Sequence, residues 1–274
     1  MLACTPVDFE LLDALARFRL LSIEQAERLG IARRWHIGER LKHLETAKLV
    51  AVIRRGRMQG PNVHTLTPKG AATLEAWAAE TGEPRTVGVR RTPLRLGPHL
   101  TQRLAIVDVH ISFRAWAASA GASVASVSAE FDPNPKGLEP ATAVTFDGMR
   151  YTPDLIASFS DASGERWLFS VEVETGGMAN SLENFRQLLP ERLEIFQKEI
   201  LENALGWPND CRAARLLFVF STVAMLEQAK RLVQNASGEV WQLVFFNSLP
   251  SVLENFASGW WQIANPSASP FPCQ

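Results

Sequence analysis

Tyr151–Gly177, YTPDLIASFSDASGERWLFSVEVETGG, is the stretch that decides how the second half of the chain reads. The polar segment "SDASGE" separates two apolar runs, so the spacing predicts a hairpin folded near Ser163. Side chains alternate along a strand, which sets Trp167, Phe169, Val171 and Val173 on one face and Leu168, Ser170, Glu172 and Glu174 on the other. Folding at Ser163 places Asp154, at the opening of the first strand, almost opposite Glu172. Carboxylates paired in this way on adjacent strands are oxygen ligands of the type that hold Mg²⁺ or Mn²⁺, ions able to polarise a phosphate and activate water. Three ionised carboxylates within ~5–6 Å repel and raise one another's pKa unless a cation or water compensates.

Working outward, the pattern predicts a helix over 100–118, a strand over 123–131 and strands around 143–147 and 150–160. The strand 166–174 follows, then a long helix 181–204, a strand 215–222, a helix 223–236, the strand "EVWQLVFF" and a tail containing "GWWQI". Helix, three strands, helix, strand is the order of an α/β sandwich. Asp108 and Glu130 are further acidic candidates near the hairpin. His110, on an apolar helix, reads as an interior histidine, and Trp260–Trp261 as core or dimer interface.

The first third has a different character. A helix over roughly Phe9–Arg19 is followed by "LSIEQAERLG", where Ser22 and Gln25 have capping-box spacing and Gly30 is a stop. In "ARRWHIGERLKHLETAKLV" the buried face is marked by Ile37, Leu41 and Leu44, which turns Trp35, His36, Glu39, Lys42 and His43 outward. Arg33 and Arg34 stand at that helix's N-terminus. A hairpin follows, from "LVAVIRRGRMQG" through Gly60–Pro61–Asn62 to "VHTLT", with Arg54, Arg55 and Arg57 near its tip. "TPKGAATLEAWAAE" opens another helix. Helix, helix, helix, hairpin, helix with basic residues on the third helix and the hairpin is the winged helix-turn-helix pattern, and "LTPKG" resembles winged-helix regulators over about Val7–Thr81. Cations on these two elements point to double-stranded DNA, through base edges and phosphates.

Charge supports the division. Residues 1–95 hold 16 Lys and Arg against 10 Asp and Glu, and residues 96–274 hold 12 against 19, so the halves carry +6 and −7. The expected organisation is a winged helix-turn-helix domain at 1–82, a basic linker at 83–98 with Arg85, Arg90, Arg91 and Arg95, and an α/β domain at 99–274. The three scattered cysteines argue against a disulfide framework and a zinc site and fit a reducing cytoplasm. No apolar run approaches the ~18–20 residues that span a bilayer, and the N-terminus lacks a signal-peptide pattern, so the expectation is a cytoplasmic protein with no membrane partner. There is no G-x-S-x-G and no Walker-type loop. The five histidines are dispersed, which disfavours a two-histidine tyrosine relaxase, and the single tyrosine, Tyr151, reads as packing.

The hairpin resembles the PD-(D/E)xK nuclease superfamily. Pro153–Asp154 matches the "PD", Glu172 the first acidic residue of the second half-motif and Val173 its spacer, while Glu174 stands where the family has lysine. The resemblance implies a restriction-endonuclease-like fold, metal ligation by Asp154 and Glu172, and a catalytic set of Asp154, Glu172 and Glu174. The missing lysine leaves three outcomes open: Glu174 as a third ligand, a basic residue such as Arg186, Arg192 or Lys198 in the lysine's place, or a relic site. Taken together with the winged helix, "HLTQRLAIVDVHISFRAW" and "SLENFRQLLPERLEIFQKE", the chain resembles the replication-relaxation family, which includes MobC-type plasmid mobilisation proteins. That resemblance implies a mobile-element protein acting on DNA at a transfer or replication origin, alongside other mobilisation or replication proteins. A homodimer follows from a winged helix reading a palindrome. The alternatives are a metal-dependent nickase using Asp154 and Glu172, and a winged-helix transcription repressor.

Overall fold

A computed structural model describes residues 4–55, 60–82, 99–132, 139–176, 181–207, 212–265 and 271–273. The chain divides into two compact units, Met1–Leu100 and Thr101–Gln274. The expected linker at 83–98 lies outside the described residues.

The first unit runs α1 (Pro6–Phe18), β1 (Leu20–Leu21), α2 (Ile23–Arg28), α3 (Arg34–Thr46), β2 (Val50–Ile53), β3 (Val63–Leu66) and α4 (Pro68–Thr81). Local chemistry sets the helix starts. Thr5 with Asp8, and Ser22 with Gln25, form reciprocal capping boxes that satisfy amides the helices leave open. Leu11, Leu12, Leu15, Ile37, Leu41, Leu44 and Leu74 close the core. The sheet order is β1-β3-β2, all antiparallel. The two-residue β1 is too short to carry a periodic signal and was not expected from sequence.

"LTPKG" has a physical reason. Thr67 caps α4 and its hydroxyl donates to the Leu49 carbonyl at 2.9 Å, while Lys69 Nζ donates to the Ala47 carbonyl at 2.9 Å, just past the end of α3. A side chain on Gly70 would place its Cβ 2.1 Å from the Leu49 carbonyl oxygen, so only glycine lets α4 start this close.

The second unit contains α5 (Leu100–Ser119), β4 (Ser123–Ala129), β5 (Val144–Phe146), β6 (Met149–Tyr151), β7 (Leu155–Ser160), β8 (Arg166–Glu174), α6 (Ser181–Gln197), α7 (Ile200–Leu205), β9 (Arg215–Phe220), α8 (Val223–Val233), β10 (Val244–Ser248) and α9 (Leu249–Glu254). Its main sheet has the order β10-β9-β8-β7-β4. β8, β9 and β10 are parallel, and β7 is antiparallel to both neighbours. Successive right-handed crossovers that advance in one direction put their helices on one face. Accordingly α6, α7 and α8 pack with Leu168, Phe218 and Phe246, while α5, α9 and Trp260 pack on the other face with Trp167, Phe169, Val171 and Val173. The unit is therefore mixed α/β.

Three expected elements are subdivided. The strand expected at 150–160 becomes β6, paired with β5 in a separate ribbon, and β7 in the main sheet. Pro153, without an amide hydrogen, falls in the break. The helix expected at 181–204 is broken where Glu199 takes φ 52, dividing α6 from α7. "EVWQLVFF" begins as a 3₁₀ turn over Glu239–Leu243 before β10. Trp260 and Trp261 divide between the two faces, Trp260 in the α5 core and Trp261 bridged to Phe246.

Candidate functional site

The β7–β8 hairpin pairs Leu155 with Val171 and Ser160 with Arg166, which centres it on Ser163. Asp161 organises the turn by accepting from the amides of Ser163 at 2.9 Å and Glu165 at 3.0 Å. One step beyond the last pair, Asp154 reaches the end of β8 that carries Glu172 and Glu174. This is also the carboxyl end of the parallel strands, where open α/β sheets place their ligands.

Each carboxylate has its own environment. Asp154 is buried; its Oδ2 accepts from the Val173 amide at 2.6 Å and its Oδ1 from Gln102 Nε2, on the first turn of α5, at 3.0 Å. Burial first, then the charge of Glu172, push its carboxyl well above the usual range, and Glu130 adds to the effect. Glu172 is buried facing the α6 layer, with its Oε1 2.7 Å from Arg192 Nε. That contact is an ion pair without the alignment of a hydrogen bond. Burial raises Glu172 to about 7, against the opposing pull of Arg192 and Tyr151. Half-buried Glu174 is also raised to about 7, by burial and by Asp154, with Arg192 opposing. Both glutamates therefore bind a proton more readily than in water, as expected of like charges crowded under burial.

Of the three basic residues considered for the absent lysine, Arg192 is the one that reaches the carboxylates. Lys198 pairs with Glu194 at 2.6 Å, and Arg186 is exposed. The guanidinium of Arg192 lies 5.1 Å from the ring centroid of Tyr151, whose hydroxyl is 2.7 Å from Ser170 Oγ. Tyr151 is fully buried and its phenol is pushed far up, chiefly by burial, so it is packed rather than poised as a nucleophile. His110 is satisfied by Arg114, which donates to its Nε2 at 2.8 Å. Gln102 carries no signal of this role in the sequence, because nothing in a helix N-terminus marks which strand end it will meet.

With the Arg192 guanidinium in place, these residues do not fit a resident Mg²⁺ or Mn²⁺ ion. Such an ion needs several oxygens free to turn toward one point. Here both Asp154 oxygens accept protein hydrogen bonds and Glu172 already faces a cation. Among the described residues no three His, Cys, Asp or Glu side chains are grouped to hold a metal.

In the first unit, α3 buries Ile37, Leu41 and Leu44 and leaves Arg33, Arg34, Trp35, Lys42 and His43 exposed, with His36 half-buried. Trp35 is 69 % exposed and stacks on His36 with ring centroids 5.3 Å apart. Arg34 pairs with Glu24, and Arg54 pairs with Glu45 at 2.6 Å. The Arg55 amide donates to Asn62 Oδ1 at 3.1 Å across the hairpin, whereas Arg57 lies outside the described residues.

No helix among the described residues is long and apolar enough to cross a membrane. Comparison with curated proteins and with solved structures gives no match. A family description, replication-relaxation, matches residues 12–187, a span that runs from α1 into α6 and includes Asp154, Glu172 and Glu174. That is well over half of the chain, and the protein belongs to the replication-relaxation family.

Proposed function

We propose that this protein binds duplex DNA of a mobile element, at a transfer or replication origin. In this reading its first unit is a winged helix, with α3 presented to the major groove and the β2–β3 hairpin to the backbone. The observation that carries it is the solvent face of α3. A tryptophan 69 % exposed is costly to leave in water, and here it stands among Arg33, Arg34 and Lys42. An aromatic amid cations suits sugar, base and phosphate together. The second unit is a nuclease-like α/β body that serves as a scaffold for a homodimer and for other mobilisation or replication proteins.

The test is binding to DNA from the protein's own genomic neighbourhood across a salt series. Arg33→Ala and Lys42→Ala should each weaken binding and lower the log–log salt slope by about 1. A slope unchanged in both variants would remove α3 from the interface. The competing reading is a metal-dependent nickase, favoured by the register that brings Asp154 toward Glu172. Open-circle product from supercoiled plasmid that requires Mn²⁺ and disappears in Asp154→Ala would select it.

A further inference from the structure

Arg192 occupies a core position. α6 buries Phe185, Leu189 and Phe196, and Arg192 falls three residues after Leu189 and four before Phe196, on the same stripe. Its side chain is only 16 % exposed. A guanidinium cannot shed its proton at any working pH, so burying one demands a permanent anionic or π partner. Both are present, in Glu172 at 2.7 Å and the face of Tyr151 at 5.1 Å. The need is mutual, because Arg192 draws both Glu172 and Glu174 back toward their ionised forms. Arg192 also lies beyond the segment that the family description matches.

We propose that Arg192 is the resident cation of this carboxylate site. It holds the place a divalent metal ion would take, so the wild-type site is closed to Mg²⁺ and Mn²⁺, and removing the guanidinium opens it. Two cations compete for the same Glu172 oxygen at contact distance, and the tethered one has no translational entropy to lose. A metal would have to expel a buried charge into water to reach Glu172, whereas each Asp154 oxygen accepts one hydrogen bond and keeps a second lone pair for a ligand. Exclusion therefore follows from covalent connectivity. The inference concerns the second unit alone and holds whether or not the first unit binds DNA.

The 274-residue chain, its Arg192→Gln variant and the Arg192→Gln/Asp154→Asn double variant are titrated with Mn²⁺ by calorimetry and by thermal unfolding, in the absence of DNA. The wild type should show no saturable binding. Arg192→Gln should gain one site, with a Tm rise of roughly 5 °C or more at ~100-fold excess over Kd. The double variant should lose that site. Saturable binding to the wild type that Asp154→Asn abolishes would overturn the proposal, as would a folded Arg192→Gln protein that takes no metal. If Arg192→Gln is unfolded in chelator, recovery of the folded circular-dichroism signal on adding Mn²⁺ supports the inference, and persistent unfolding in millimolar Mn²⁺ rejects it.

Discussion

Each unit holds a buried arginine–carboxylate pair among the described residues, and the two pairs end in opposite electrostatic states. In the first unit Arg40 reaches Asp8 across 32 residues, donating from Nε to Oδ1 at 2.8 Å and from Nη2 to Oδ2. The Thr5 amide adds a third donor at 2.7 Å and the Thr5 hydroxyl a fourth at 3.0 Å. Burial acts to raise Asp8, yet Arg40 and Thr5 outweigh it, and the carboxyl ends below its ordinary value. In the second unit Glu172 has the same kind of partner, but burial, with the charge of Glu174 added, outweighs Arg192 and Tyr151 and raises it to about 7. Proximity to arginine does not decide the state of a buried carboxylate. The balance of burial against the number of aligned donors, with like charge added, does. The Asp8 pair holds α1 against α3 with every contact aligned, and the Glu172 pair leaves Oε1 without an aligned donor.

The largest expected effect breaks the satisfied pair. Asp8→Ala strands the Arg40 guanidinium and removes half of a capping box, so the first unit should lose about 3–5 kcal/mol in a denaturant melt. A loss under about 1 kcal/mol would mean that the helices, not the pair, hold this contact.

The pairs should also respond to pH in opposite directions. Asp8 is lowered, so its contribution is present above the ordinary aspartate range and fades as pH falls toward its folded value. His64, lowered mainly by burial, likewise costs the first unit stability as pH falls below its ordinary 6.5. Glu172 and Glu174 are raised, so the second unit is favoured below the ordinary 4.5 and loses stability as pH rises through about 7. Scanning calorimetry at pH 3, pH 5 and pH 8 should show the first-unit transition rising and the second-unit transition falling with pH, with Asp8→Ala assigning the first-unit transition. Parallel movement would refute the contrast. Glu174→Gln sharpens it: removing this charge should stabilise the second unit by about 1 kcal/mol at pH 8 and by nothing at pH 4.5, after allowance for partial solvent screening. A pH-independent change would point to packing instead.

Much of this was legible from periodicity. Strand alternation sorted Trp167, Phe169, Val171 and Val173 from Leu168, Ser170 and Glu172, and a fold at Ser163 is the register that the sheet adopts. Such patterns repeat every two residues and are enforced by burial on both sides of β8, so a slip would bury the wrong set. The Asp8–Arg40 pair could not be read, because nothing local links residues so far apart. Gln102 was hidden for the same reason. The split at Pro153 was legible in principle, since proline removes a ladder donor, but the apolar residues on either side masked it. Arg192 was readable in part: a cation spaced into the stripe of Phe185, Leu189 and Phe196 announces a buried partner, though not which one.

The smallest effect on stability belongs to the exposed pairs, and it separates fold from recognition. Arg34–Glu24 and Arg54–Glu45 lie at the surface, where such contacts are worth about 0–1 kcal/mol because water and salt compete with them. Glu24→Gln should therefore shift unfolding by less than about 0.5 kcal/mol. The Arg34 amide keeps its own cap, Glu27 Oε1 at 3.0 Å, so the start of α3 should not fray. If Arg34 meets a phosphate in the proposed complex, it must first leave Glu24, and neutralising that glutamate removes the competitor. DNA affinity should then rise about 3–10-fold at low salt, with the gain shrinking as salt screens the field. Arg34→Ala should weaken binding and cancel the effect of Glu24→Gln, because the glutamate acts only through the arginine. Additive effects of the two substitutions would mean that Glu24 repels the DNA backbone directly, and no change in affinity from either would place this end of α3 outside the footprint.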